Sequence, residues 1–165
     1  MSAPGRIDDG DPLALERQVC FALAVASRTV ISVYRPVLEP MGLTHPQYLV
    51  MLALWGEEPL SVTDLSRRLE LDPATLSRLL RRLESAGLVR RDRNPADERS
   101  LAVALTVAGR DLRTQALAVP GTVLQRLGMG LDELMDLRDR LTDVIGAAKS
   151  ATESATEAAT EPQPA

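Results

Sequence analysis

Apolar positions along this chain follow two rhythms. From Asp72 onward Leu76, Leu79, Leu80 and Leu83 recur at three- and four-residue spacing, which predicts one buried face of a helix. Ala74, Ser77, Arg78, Arg81 and Ser85 fall on the opposite face, with Arg82 at its edge. Asp72 followed by Pro73 supplies a side-chain cap and then a proline at the first helical position. Gly87 stands where the helix should stop. A shorter helical pattern precedes it, opened by Ser61 and Asp64 at the spacing of a capping box. The rhythm then changes. Leu88 to Asp92 and Ser100 to Leu105 fit two strands, and Arg93-Asn94-Pro95-Ala96-Asp97 is the expected turn between them.

Two helices followed by a hairpin read as a winged helix-turn-helix with a two-stranded wing. A basic helix of this kind can enter a groove of DNA while the hairpin reaches the next. The rest of the chain adds mainly helix. Residues 1–11 are polar and predict a mobile terminus. Leu13 to about Leu38 is a long helical pattern, with Cys20, Leu23, Ala24, Ser27, Ile31 and Tyr34 on one face, ended by Pro36 and Pro40. Thr44 caps a second helix that runs to about Trp55, and Gly56 to Leu60 is an expected loop. Thr106 caps another helix to about Val119, which Pro120-Gly121 should kink or break. Leu131 to about Ala148 is the last helix, and residues 149–165, rich in Ala, Thr and Glu, predict a disordered tail.

The fold class is therefore mainly α. A domain spans residues 12–148, with a DNA-binding module at about 44–106. Helices at about 13–38 and 107–148 carry more apolar surface than so small a module can cover. A second copy of the chain would bury it, and a symmetric dimer would present two recognition helices to a palindrome.

Composition sharpens this picture. Hydrophobic residues make up 45% and aromatics 2%, so the core must be built from Leu, Val, Ile and Ala, which favours packed helices. The net charge of -4 speaks against nucleic acid until its distribution is considered. Arg67, Arg68, Arg78, Arg81, Arg82, Arg90, Arg91, Arg93 and Arg99 all lie within one short window against Glu70, Asp72, Glu84, Asp92, Asp97 and Glu98, and the acids outside that window cluster at the N-terminus, in the last helix and in the tail. Screening makes near charges dominate, so a basic module on an acidic body can bind phosphates. With Cys20 as the one cysteine, an intrachain disulfide is impossible. Val19 to Val33 is interrupted by Arg28 and is too short for a bilayer, and no cationic leader precedes an apolar run. The expected location is cytoplasmic, with no membrane partner.

Asp97-Glu98-Arg99, then Leu105-Thr106 and Gly109, match the D-x-R … L-T-x-x-G pattern of the MarR family of bacterial winged-helix regulators. LDPATLSRLLRRLESAGLVRR matches the family as well, and the resemblance extends over about residues 13–148. Within the family the chain is most similar to the organic-hydroperoxide sensors of the OhrR branch. Cys20-Phe21-Ala22-Leu23, Tyr34-Arg35-Pro36, Thr44-His45-Pro46-Gln47-Tyr48 and Val119-Pro120-Gly121 carry that likeness. The resemblance implies a peroxide-oxidised cysteine at Cys20 and a site of three tyrosines. Tyr34 occupies one of those positions; Ala24 and His45 stand at the other two.

Expected roles follow. Arg78 and Arg81 are placed for base readout, since arginine pairs bidentately with guanine. Thr75 and Ser77 lie near the positive end of the helix, where bases or phosphates can be met. Arg82, at the edge of the Arg78–Arg81 face, is a further DNA-binding candidate, and Arg90, Arg91 and Arg93 are candidates for phosphate contacts. The resemblance makes Arg99 a minor-groove arginine, oriented by Asp97. Tyr34 follows Cys20 by fourteen residues, roughly 21 Å along a helix, so the two cannot touch on one straight helix but could meet if the first helices of two subunits cross antiparallel. A protonated His45 would lower the thiol's pKa and raise its reactivity. Expected partners are double-stranded DNA, a second copy of the chain, and an organic hydroperoxide with a low-molecular-weight thiol. The alternative replaces oxidation by a small apolar or phenolic ligand between arm and module, with Cys20 structural. No cofactor, metal site or enzymatic centre is expected. One Cys and one His do not make a zinc site, and a thiol peroxidase would lack a resolving cysteine.

Overall fold

The computed structural model describes residues 11–94 and 97–160, with side chains described for 11–93 and 101–156. Residues 1–10 of the expected mobile terminus 1–11, and the end of the tail, 161–165, lie outside them. After a short 3₁₀ turn at Leu15–Arg17 the chain forms α1 (Val19–Leu38) and, past a second turn at Glu39–Met41, α2 (His45–Gly56). Then follow β1 (Leu60–Ser61), α3 (Val62–Leu69), α4 (Pro73–Ser85), β2 (Val89–Asn94), β3 (Asp97–Leu105), α5 (Val107–Ala116), α6 (Val119–Leu127) and α7 (Leu131–Thr160). The chain divides into two compact units, 1–123 and 124–165.

Three helix starts, those of α3, α4 and α5, are fixed by the side chains that the sequence marks. Ser61 Oγ accepts from the Asp64 N–H at 3.0 Å, Asp72 Oδ1 from Thr75 N–H at 2.8 Å, and Thr106 Oγ1 from Gly109 N–H at 3.0 Å. α4 ends in a Schellman turn. Leu88 N–H donates to the Leu83 carbonyl and Gly87 N–H to that of Glu84, with Gly87 at φ +71° where a side chain is disfavoured. Leu76, Leu80 and Leu83 are fully buried, as their spacing predicts, and Leu79 nearly so. α4 packs on α2, α3 and β2, and the core is completed by Val50, Met51, Leu54, Leu65 and Val103.

Five differences from the sequence pattern have local causes. Leu60 and Ser61, expected in a loop, pair antiparallel with Val103 and Ala102, giving a three-stranded sheet in the order β1-β3-β2. Two residues are too few to show an alternating pattern. The wing strands are longer than expected. Arg93, Asn94 and Asp97 belong to them rather than to the turn, with a register irregularity between Arg93 and Asn94 where the pairing closes. Pro36 does not end α1 but sits within its last turns, and α1 closes at Leu38. The break before α6 falls at residues 117–118, ahead of Pro120. Proline is thus in the first turn of α6, where its missing N–H has no helical partner to lose. α7 continues to Thr160, through much of the segment expected to be disordered. Its alanines and glutamates have high intrinsic helix propensity, which acts without a surface to bury.

α1 is unusual for its exposure: of its residues only Leu38 is buried, and Val19, Phe21, Leu23 and Ile31 face outward. The helical stretch Val19–Met41 covers 23 residues and is long and apolar enough to cross a bilayer, so length does not exclude a span as the shorter run 19–33 suggested. Arg28 and Arg35 lie within it, and a cation inside a bilayer is costly. In the second unit α7 exposes Leu131, Met135, Leu137, Leu141, Val144 and Ile145.

Candidate nucleic-acid interface and thiol helix

The start of α4 is a hydrogen-bonded chain. The Thr75 hydroxyl donates to Asp72 Oδ2 at 2.6 Å and accepts from an Arg78 guanidinium N–H at 3.2 Å. Asp72 is therefore held below its usual carboxylate range, first by the Thr75 hydroxyl and then by the Thr75 N–H. The hydroxyl proton of Thr75 is already committed, so this residue presents an oriented Arg78 rather than a free donor. Ser77 is half-buried beside it. Arg81 and Arg82 are exposed one turn on, and among the described residues neither has an acidic side chain within ion-pair distance.

The wing arginines divide. Arg93 is exposed. Arg90 pairs with Asp92 at 3.2 Å on the solvent side. Arg91, a candidate for a phosphate contact, forms an ion pair with Glu84 of α4. This contact holds Glu84 below and Arg91 above its ordinary range, in each case chiefly through the hydrogen bond between the two side chains. The side chains of Asp97 and Arg99 lie outside the described residues. Behind the sheet, Glu58 receives the Arg110 guanidinium at 2.6 and 3.1 Å and the Leu105 N–H at 2.7 Å. Burial opposes ionisation of Glu58, but these contacts prevail and its pKa is lowered.

Cys20 is exposed near the start of α1, while Tyr34 lies near the other end of the same helix. Tyr34 meets His45 edge-on with ring centroids 5.0 Å apart and lies 6.2 Å from the Tyr48 ring, which in turn is 6.3 Å from Trp55. Two of the three expected redox-site residues are therefore together within one chain, and Cys20 is not with them. Burial lowers the pKa of His45 and so disfavours the protonated form, the one expected from the sequence to activate the thiol. As a neutral imidazole it retains one N–H donor. Burial, and the charge of Tyr34 after it, raises the pKa of Tyr48.

The sequence pattern gave no site role to Tyr48, although it closes the Thr44-His45-Pro46-Gln47-Tyr48 motif, nor to Trp55, Glu58 or Glu84. The seven-residue spacing of Tyr48 and Trp55 on α2 was the available signal for the first two. The acids become visible only when the chain folds back on itself. Trp55 Nε1–H donates to the Gly109 carbonyl at 2.9 Å, tying α2 to the first turn of α5. Beside it, Tyr48, Leu52, Trp55, Arg113, Leu117 and Pro120 line an open cleft of about 280 Å³. Among the described residues no group of three His, Cys, Asp or Glu side chains is arranged for a metal.

Comparison with known proteins places this geometry in context. The sequence model of the MarR family matches residues 43–101. The chain is 45% identical over 144 residues to the HTH-type transcriptional regulator TtmR of Methylorubrum extorquens, covering 87% of this chain and 72% of that one. It is 39% identical over 131 residues to the organic hydroperoxide resistance transcriptional regulator of Bacillus subtilis, covering 79% and 89%. Among solved structures it is similar to reduced AbfR bound to DNA, a Staphylococcus epidermidis protein, with TM-score 0.70 at 31% identity over 81% of this chain and 94% of that one.

Proposed function

This chain belongs to the MarR family of winged-helix transcriptional regulators, which are not enzymes, and on that footing we propose that it is a cytoplasmic, homodimeric repressor released from a palindromic operator by oxidation of Cys20. α4 enters the major groove, where Arg78 and Arg81 read bases and Arg82 and Ser77 meet the backbone. Arg93 and Arg99 extend the contact along the wing, with Asp97 orienting Arg99. The Cys20 thiolate attacks the terminal oxygen of an organic hydroperoxide. An S–O bond forms, the O–O bond breaks, and the alkoxide leaves as the alcohol after taking a proton. A low-molecular-weight thiol then condenses with the sulfenic acid, releasing water and leaving a mixed disulfide.

One observation carries this reading. α1 has an exposed thiol at one end, the Tyr34–His45 pair at the other, and an uncovered apolar flank between them. Two such helices crossing antiparallel would bring each thiol to the partner's aromatic pair. Neutral His45 then acts as a hydrogen-bond donor to the thiolate, in the position where the resemblance expects a tyrosine. The relatives agree with the reading, since one is named for organic hydroperoxide resistance and AbfR has been solved in reduced and overoxidised states on DNA. The test compares wild type with Cys20→Ser in a mobility-shift assay, with and without cumene hydroperoxide and then with dithiothreitol. Wild type should lose DNA on oxidation and regain it on reduction, and Cys20→Ser should bind throughout.

A second reading keeps the DNA binding and replaces oxidation by a small ligand. The cleft at Tyr48, Trp55 and Arg113 favours it, since aromatic walls with one cation suit a small phenol or aromatic acid. An identical peroxide response in wild type and Cys20→Ser would transfer the argument to that cleft.

A further inference from the structure

Glu84 and Arg91 sit on either side of the turn that joins the recognition helix to the wing. Glu84 belongs to the last turn of α4, and Arg91 lies in β2 opposite Val103 of β3. The covalent link between the two elements is Ala86-Gly87-Leu88, with Gly87 in the left-handed region. The ion pair makes a second link across that turn. Both side chains are 28% exposed, and among the described residues no other ion pair has both members below a third. Arg67–Asp64, at 74% and 45%, shows the contrast. Solvated pairs of that kind add little, whereas removing one partner of a drier pair leaves the other charge poorly compensated.

We propose that Glu84 is a positioning residue for DNA recognition, which fixes the wing relative to the Arg78–Arg81 face of α4 by holding Arg91 out of contact with phosphate. The inference rests on the DNA-binding reading above and is independent of the redox step. It deepens that reading by assigning the wing arginines to different tasks. Arg93, with no acidic partner among the described residues, faces outward, while Arg91 sets the angle at which the wing leaves the helix. A negative charge close to a DNA-binding surface ordinarily opposes binding. Glu84 would favour it, because the order it imposes on two binding elements outweighs its repulsion of phosphate.

The two accounts differ in sign, which makes a single conservative change decisive. Glu84→Gln removes the charge and keeps the shape. The probe is the duplex that the wild-type protein enriches from a random-sequence pool, measured by fluorescence anisotropy over a series of salt concentrations, with a scrambled duplex beside it. A positioning role predicts that Glu84→Gln binds the selected duplex about tenfold more weakly, a change of roughly 1.4 kcal/mol, with an unchanged salt slope and a smaller loss on the scrambled duplex. Arg91→Gln should behave in the same way. Equal or tighter binding by Glu84→Gln, or a salt slope lowered by about one in Arg91→Gln, would make Arg91 a phosphate contact and overturn the inference. The reversed pair Glu84→Arg with Arg91→Glu serves if either single variant fails to fold. Recovery of selective binding in it supports positioning, and a folded but unselective protein refutes it. A wild-type protein that enriches no duplex would instead refute the DNA-binding reading on which the inference stands.

Discussion

Arginine is the residue on which this interface turns, and the structure separates arginines that are alike in sequence. Arg67, Arg68, Arg91 and Arg110 are each held by an acid, whereas Arg81 and Arg82 stand clear of acids among the described residues. Arg81→Ala should therefore weaken operator binding by about 1–3 kcal/mol, while Arg67→Ala, on a solvated pair of α3, should change it little. Anisotropy titration of both variants at one salt concentration makes the comparison. A second prediction at this scale concerns pH. Burial holds the pKa of His45 below its ordinary 6.5. Between that lowered value and 6.5 the unfolded chain binds a proton that the native chain refuses. Stability therefore falls as pH drops through that window and is indifferent to His45 above it. His45→Gln should flatten the urea-midpoint profile there. Any loss belonging to Glu58 and Glu84 appears lower, below their ordinary 4.5, because their native pKa values are depressed.

At the scale of elements, capping and periodicity carried most of the information. Ser61, Asp72 and Thr106 are caps because their side chains satisfy backbone N–H groups nearby, and that chemistry is written within four residues. The leucines of α4 could be placed inside for the same reason. What stayed hidden depends on distant partners. Leu60–Ser61 becomes a strand only because β3 offers an edge, and the Glu84–Arg91 pair needs the turn at Gly87 to close. The L-T-x-x-G pattern shows a family motif acquiring its cause. A Cβ at Gly109 would lie 2.0 Å from the Leu88 carbonyl oxygen, which already accepts the Thr106 N–H. Backbone on both sides leaves no flexible atom to yield, and the Gly109 carbonyl also holds Trp55. Gly109→Ala should lower the melting temperature markedly and shift the emission of Trp55, the sole tryptophan. Gly121→Ala, whose Cβ would meet open space, should be close to neutral in the same scan.

For the whole molecule the largest unmet demand is apolar. α1 and α7 each expose leucine, valine and isoleucine side chains that are 36–67% open to water, so withdrawing one of them would contribute part of the about 1.5–3 kcal/mol that burying a fully exposed side chain contributes. A second copy, with the same exposed faces, is the cover that symmetry makes cheapest. The dimer accordingly should sediment at twice 17.9 kDa at micromolar concentration. The length of α7 offers a way to locate what holds it. Its exposed large apolar residues Met135, Leu137, Leu141, Val144 and Ile145 all precede Lys149, whereas the stretch from Ser150 to Thr160 is Ala, Ser, Thr and Glu. That last stretch is helical through propensity, so it should exchange its amide hydrogens rapidly and contribute nothing to association. A chain ending at Lys149 should remain dimeric and bind DNA like the full protein. Leu141→Lys with Ile145→Lys should instead shift sedimentation towards the monomer and weaken binding to a two-half-site duplex, because two recognition helices would no longer be held at one spacing. A truncated chain that dissociates, or a doubly charged variant that remains a tight dimer, would move the interface away from this face of α7.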